Sequence, residues 1–185
     1  MLKLNCKSQN YAWGRLGNES IVCKIHQAHA AEEAKYDETP FAEYWMGDHV
    51  NGPSSFMVTQ EACQWMGEDN FVGQKMGTEL KIGDLCQSNP DKFLGPGYQE
   101  RYPHAKTSLA FLFKVLSVRT ALSIQAHPNR AKAEQLHVQR PDVYKDPNPK
   151  PELAIALSDD FEACFGFADE QTLVKNFAKN KALAE

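Results

Sequence analysis

Two stretches of apolar–polar alternation set the terms on which this chain can fold. The first is Thr120-Ala121-Leu122-Ser123-Ile124-Gln125-Ala126-His127, the second Glu152-Leu153-Ala154-Ile155-Ala156-Leu157. Side chains along an extended strand alternate between faces. Leu122, Ile124 and Ala126 therefore share one face of the first stretch, and Ser123, Gln125 and His127 the other. In the second, Leu153, Ile155 and Leu157 oppose a face where Glu152 stands with two small alanines. If the two polar faces meet inside a barrel or sandwich, Gln125, His127 and Glu152 converge. An amide oxygen, an imidazole and a carboxylate are suitable ligands for a divalent cation such as zinc. The same spacing also describes a half-exposed polar sheet face with no ligand at all.

The remaining segments fill in the elements. Met1 to Lys7 reads as a first strand, and Asn18 as the cap of a helix running to about Gln27. His26 and His29 are expected to face solvent from that helix. Pro40 to Gly47 is apolar and aromatic and reads as a buried strand, with Glu43 inside it. A carboxylate among such neighbours is expensive to bury unpaired, so Glu43 needs a partner, structural or catalytic. Residues 51–54 form a turn by composition, which makes His49 a turn residue rather than a metal ligand. Helices are expected over Thr59–Asp69, with Thr59 as cap, and over Glu79–Gln87; Phe93 to Thr107 reads as a loop. Phe111 to Val118 reads as a central strand buried on both faces, interrupted by Lys114. A lysine is rarely buried without an anion. It either pairs with Glu43 or lies on a ligand-pocket wall and meets a phosphate. Asn129 is expected to cap a helix through Gln139. The Pro-rich run Asp146–Pro151 should be extended and feed the strand bearing Glu152. A short strand over Phe161–Phe167 and a helix over Glu170–Glu185 complete the pattern. The order predicts an α+β fold, mainly β, with an antiparallel core and peripheral helices.

Composition narrows the class of partners. A formal charge of −4 argues against nucleic acid or an anionic membrane surface. The five cysteines contain no CxxC pair, which suits free thiols in a reducing cytosol and a cytoplasmic protein better than a disulfide framework. The N-terminus lacks the apolar run of a signal peptide, and no stretch approaches transmembrane length.

Several ordered motifs together resemble one family. Ser123-Ile124-Gln125-Ala126-His127-Pro128-Asn129 is followed by Tyr144-Lys145-Asp146-Pro147-Asn148-Pro149-Lys150-Pro151-Glu152. With Gln9-Asn10-Tyr11-Ala12-Trp13-Gly14, Phe41–His49, Phe111–Val118 and Cys164–Phe167, these segments are similar to type I mannose-6-phosphate isomerase (phosphomannose isomerase). That family's signature, Tyr-x-Asp-x-Asn-His-Lys-Pro-Glu, is matched except at Pro149, where the family has His. Alternation points Pro149 away from the side of Lys150 and Glu152.

The resemblance implies a cupin-type jelly roll, here incomplete. Residues 1–167 would be the N-terminal part of the catalytic domain, and 168–185 the start of a helical domain, since the last helix meets the chain end without a Gly or Pro stop. It implies a zinc-dependent interconversion of mannose 6-phosphate and fructose 6-phosphate, feeding GDP-mannose biosynthesis. The zinc ligands would be Gln125, His127 and Glu152, with a further family His that has no counterpart here. Lys150 and Glu43 would be catalytic; Ser123, Lys114 and Trp13 would bind a phosphorylated hexose. The alternatives are a truncated, non-catalytic form that binds zinc or sugar phosphate, and a cupin of other chemistry such as an iron oxygenase. Gln125 in place of a histidine weakens the last.

Overall fold

The computed structural model describes residues 3–30, 36–164 and 166–180. They divide into two compact units, Met1–Thr120 and Ala121–Glu185. The architecture is α+β, with small antiparallel sheets and several helices, in keeping with part of a cupin-type domain.

The first unit is built around a three-stranded antiparallel sheet of β1 (Lys7–Gln9), β4 (Glu43–Met46) and β7 (Phe113–Leu116), with β4 in the middle. Two-residue strands β2 (Arg15–Leu16) and β3 (Pro40–Phe41) pair beside it. The register places Lys7 opposite Trp45 and Gln9 opposite Glu43, and on the other edge Glu43 opposite Leu116 and Trp45 opposite Lys114. Directly opposed side chains share a face. One face of the sheet therefore carries Lys7, Gln9, Glu43, Trp45, Lys114 and Leu116. The other carries Ser8, Tyr44, Met46, Phe113 and Val115, and helix α1 (Ile21–Ala30) covers part of it. Val22 and Cys23 of α1 form a buried cluster with Phe41 and Tyr44, joined at its edge by Ile25, Met46 and Val115.

A second core lies under the hairpin of β5 (Ser55–Met57) and β6 (Glu79–Lys81), where Phe56 and Val58 meet Ala62, Cys63 and Met66 of α2 (Gln60–Met66), Phe71, and Leu85 of α3 (Ile82–Ser88). Phe56 is fully buried, and a side chain of that size contributes about 3 kcal/mol by leaving water. Short helix α4 (Pro90–Phe93) precedes the stretch expected as a loop, and α5 (Tyr98–Arg101) falls within it. In the second unit, α6 (Arg130–Gln139) and α7 (Glu170–Lys179) are capped by Asn129 and Asp169, whose side chains accept from the Lys132 and Thr172 amides.

The expected strand at 40–47, the helix capped by Thr59, the helix capped by Asn129 and the helix from Glu170 are all present; the end of the last, 181–185, lies outside the described residues. Several expectations are corrected. The first strand falls at Lys7–Gln9. Asn18 lies in a 3-10 turn, and the cap of α1 is Ser20: its Oγ accepts from the Val22 and Cys23 amides at 3.1 and 3.3 Å and donates to the Phe41 carbonyl at 2.8 Å. His26 and His29 are half-buried rather than solvent-facing; the His26 ring lies 3.3 Å from Ser8 Oγ and the His29 ring 2.9 Å from Asn5 Oδ1. Residues 79–81 are strand, with the helix starting at Ile82. β7 is an edge strand, with Phe113 and Leu116 exposed.

Neither 120–127 nor 152–157 forms a strand, nor do the described residues of 161–167. A strand needs a neighbour to satisfy its amides and carbonyls, and none is offered to these segments among the described residues. Leu153, Ile155 and Leu157, expected on a buried face, are 90%, 78% and 83% exposed.

Two outcomes follow from this packing. Ser20→Ala should cost about 1–2 kcal/mol in urea unfolding, while Asn18→Ala stays within about 0.5 kcal/mol of the parent. Glu79 accepts from Ser55 Oγ and, at 3.4 Å, from Asn5 Nδ2, and these bonds hold its carboxyl below the ordinary value. A depressed folded pKa gives stability that is present above the unfolded value and lost as pH falls through the folded one. Glu79→Gln should flatten that acid limb of the stability curve and leave stability at neutral pH less changed by acidification.

Candidate functional site

Burial of a charge on β4 dictates the chemistry of the first unit. Glu43 is 7% exposed, and it meets a cation from the neighbouring strand. Lys114 Nζ stands 3.2 Å from Glu43 Oε2 and 3.5 Å from Oε1. The Trp45 indole N–H donates to the same Oε2. Its ring lies under the ammonium, with Lys114 Nζ 5.4 Å from the ring centroid, within the range of a cation–π contact. His49 meets this indole in a T-shaped contact, centroids 5.0 Å apart. Tyr11 borders the cluster: burial, and then the Glu43 charge, push its phenol up. Trp13 stacks on Tyr11 with centroids 5.8 Å apart, and its carbonyl accepts from the Arg119 amide. The loop bearing these rings runs close to the sheet. A Cβ at Gly14 would lie 2.6 Å from the Ala42 amide nitrogen, so only glycine allows that approach. Lys114, Glu43 and Trp13, all marked out by sequence, thus lie in the first unit on or beside one polar sheet face.

Ser123, Gln125, His127, Lys150 and Glu152 lie in the second unit. His127 Nε2 is 3.2 Å from Glu152 Oε2, and Lys150 Nζ is 3.6 Å from Glu152 Oε1. The carboxylate therefore stands between an imidazole and an ammonium. Gln125 turns its amide nitrogen to Ser123 Oγ at 3.4 Å. His127 and Glu152, the first expected ligand pair, are together even though neither segment is a strand. Their 3.2 Å separation is one that two ligands of a single tetrahedral zinc, each about 2.0–2.2 Å from the ion, also have. The donor set fits zinc: imidazole nitrogen, carboxylate oxygen and, from Gln125, an amide oxygen. No group of three or more His, Cys, Asp or Glu is arranged to hold a metal among the described residues, so Gln125 would have to be the third protein ligand. Lys150 lies beside this pair, as the extended run through Pro151 anticipates. Pro149, half-buried in the same run, offers no donor.

An α+β domain of the cupin type, carrying a histidine–carboxylate pair and a buried lysine–glutamate pair, is the class that these features define. Comparison with known proteins makes this specific. Residues 1–170 match the family model of the phosphomannose isomerase type I catalytic domain, and the chain belongs to that family. It is 42% identical over 170 residues to a probable mannose-6-phosphate isomerase from Echinococcus multilocularis, covering 90% of this chain and 33% of that protein. It is 40% identical over 172 residues to the mouse mannose-6-phosphate isomerase, covering 92% and 36%. Among solved structures it resembles a histidine variant of the Salmonella typhimurium phosphomannose isomerase, with TM-score 0.55, 27% identity, 80% of this chain and 33% of that one. A zinc-bound holo mannose 6-phosphate isomerase gives TM-score 0.53 at 27% identity over the same shares. The chain thus spans about a third of the length of the curated relatives it matches.

Two features escaped the sequence reading. Trp45 was read as an apolar neighbour of Glu43, yet it is a hydrogen-bond donor to it. The i, i+2 spacing of Glu43 and Trp45 in a strand puts both on one face, and that signal was available. Tyr11 carried no comparable signal, because its approach depends on how the 10–14 loop turns.

The Lys114–Glu43 pair yields a measurable coupling. Lys114→Met should cost about 1–3 kcal/mol, since it leaves a buried carboxylate held only by neutral donors. Adding Glu43→Gln should restore part of that loss, so that the two substitutions are non-additive in urea unfolding. Strict additivity would show that the pair contributes nothing through its contact.

Proposed function

We propose that this chain carries the N-terminal part of a zinc-dependent aldose–ketose isomerase site. It would interconvert D-mannose 6-phosphate and D-fructose 6-phosphate in the cytoplasm and feed GDP-mannose biosynthesis. The observation that carries the reading is the meeting of His127 and Glu152 at 3.2 Å within motifs the family shares. The names of the mouse and Echinococcus relatives, and the zinc in the solved neighbour, support it.

Gln125, His127 and Glu152 are assigned to the metal. Zinc, when bound, would supply polarisation of the sugar's C1 and C2 oxygens without redox change. The reaction moves a proton between C2 and C1 through a cis-enediol, and negative charge develops on those oxygens. Lys150 has its ammonium 3.6 Å from the Glu152 carboxylate; it is assigned to hold that charge or carry a proton. Ser123 and Lys114 are assigned to the substrate phosphate as hydroxyl and ammonium donors. Trp13 is assigned to substrate contact, and Glu43 to the charge balance of Lys114.

For these 185 residues taken alone, a second reading is favoured by the exposure of Leu153, Ile155 and Leu157 beside Glu152. An apolar row facing water does not hold a ligand rigidly, and loosely held ligands bind metal weakly. The 185-residue chain should then bind zinc weakly and turn over little. The test is zinc titration calorimetry beside a coupled isomerase assay at saturating zinc, for the chain and its His127→Ala variant. Weak zinc binding that falls at least about tenfold in the variant supports the ligand assignment. Zinc affinity that does not change removes it. Turnover above about 1 per second, abolished by the substitution, would show that these residues are a complete catalyst.

A further inference from the structure

We infer that Trp45 is a positioning residue for Lys114, acting through Glu43. The argument starts from parity. Glu43 and Trp45 are two apart on β4, and Lys114 is paired directly opposite Trp45 on β7, so all three side chains leave the sheet on one face. The indole then makes two contacts at once. Its N–H donates to Glu43 Oε2, the oxygen that also faces Lys114 Nζ at 3.2 Å. Its ring lies beneath the ammonium at 5.4 Å. A carboxylate on a flexible side chain has three torsions to fix, and Lys114 has four. The indole has two, and it is itself wedged: 7% exposed, with His49 against its ring and Gly52 packed so closely that a Cβ there would lie 3.1 Å from Trp45 Cε3. The stiff, packed ring is therefore the fixed element, and it sets where the carboxylate and the ammonium stand. A phosphate-binding lysine must be held at a defined place, and to this extent the inference rests on the assignment of Lys114 under the proposed function.

The experiment needs neither substrate nor turnover, so its failure is separate from failure of that assignment. The full chain is labelled competitively with a trace amine-acylating reagent. The rate at Lys114 is read by peptide mass spectrometry against Lys24, an exposed lysine on α1, as an internal reference. Trp45→Phe keeps an aromatic ring and loses the donor. It should raise the relative rate at Lys114 on the order of threefold or more, because a pair that loses its fixed anchor withholds the amine for less of the time. Glu43→Gln should raise it as well. In the Glu43→Gln background, Trp45→Phe should add nothing further, since the indole acts through that carboxylate. An unchanged Lys114 rate in Trp45→Phe overturns the inference, as do independent, multiplying effects in the double variant. If Trp45→Phe raises Lys24 and Lys114 alike, the substitution has loosened the whole fold. The indole N–H resonance of Trp45, identified among the three tryptophans by Trp13→Phe and Trp65→Phe spectra, then decides. It should shift upfield when Glu43→Gln removes the charged acceptor, and an unmoved resonance overturns the inference.

Discussion

A buried carboxylate in the middle strand of a small sheet is the constraint on which the first unit depends. Glu43 stands between two neighbouring strands, and leaving it uncompensated there would cost several kcal/mol. The compensation comes from β7 through Lys114, and from β4 itself through Trp45. The sheet therefore has two unlike faces. One is largely apolar and partly covered by α1, with Val22 and Cys23 against Tyr44. The other is a set of ionic and aromatic groups in fixed register. The first face supplies stability and the second is available for chemistry. Gly14 connects them to the loop of Tyr11 and Trp13, because its missing side chain lets that loop lie against Ala42.

The second unit follows a different logic. Its helices are fixed locally: Asn129 and Asp169 satisfy first-turn amides, and Asp169 is held below its ordinary pKa by the Thr172 amide and hydroxyl. Its metal-ligand candidates meet through polar contacts, His127 to Glu152 and Lys150 to Glu152. Polar contacts between half-exposed groups contribute little rigidity. The histidine and carboxylate are brought together by short-range attraction, and bound metal would make that arrangement rigid.

What could be read from the sequence divides along the same line. The burial of Glu43 was legible because a charge inside Phe41–Met46 demands a partner, and Lys114 inside Phe113–Leu116 demands one too; the structure pairs them. Helix caps at Thr59 and Asn129 were legible because the side chain and the amides it satisfies lie within one turn. Asn18 misled, because Asn18 and Ser20 both have capping ability and only the buried geometry of Ser20, bonded to Phe41 across the fold, selects one. The alternation at 120–127 and 152–157 was read as strand. Alternation reports which side chains would share a face, but it carries no information about whether a neighbouring strand is present. The pairing of His127 with Glu152 was anticipated from strand parity, and it is met without the strands that motivated it.

The register of β4 also has a kinetic meaning. Its partner β1 lies about 35 residues earlier in the chain and its partner β7 about 70 residues later, and long loops close more slowly than short ones. The β1–β4 ladder can therefore form while the other edge of β4 is still open. During that interval Glu43 has the Trp45 indole but not yet the Lys114 ammonium, and the carboxylate remains open to water at that edge. Arrival of Lys114 closes the edge and neutralises the charge in the same event. Docking of β7 is thus the step that commits the sheet.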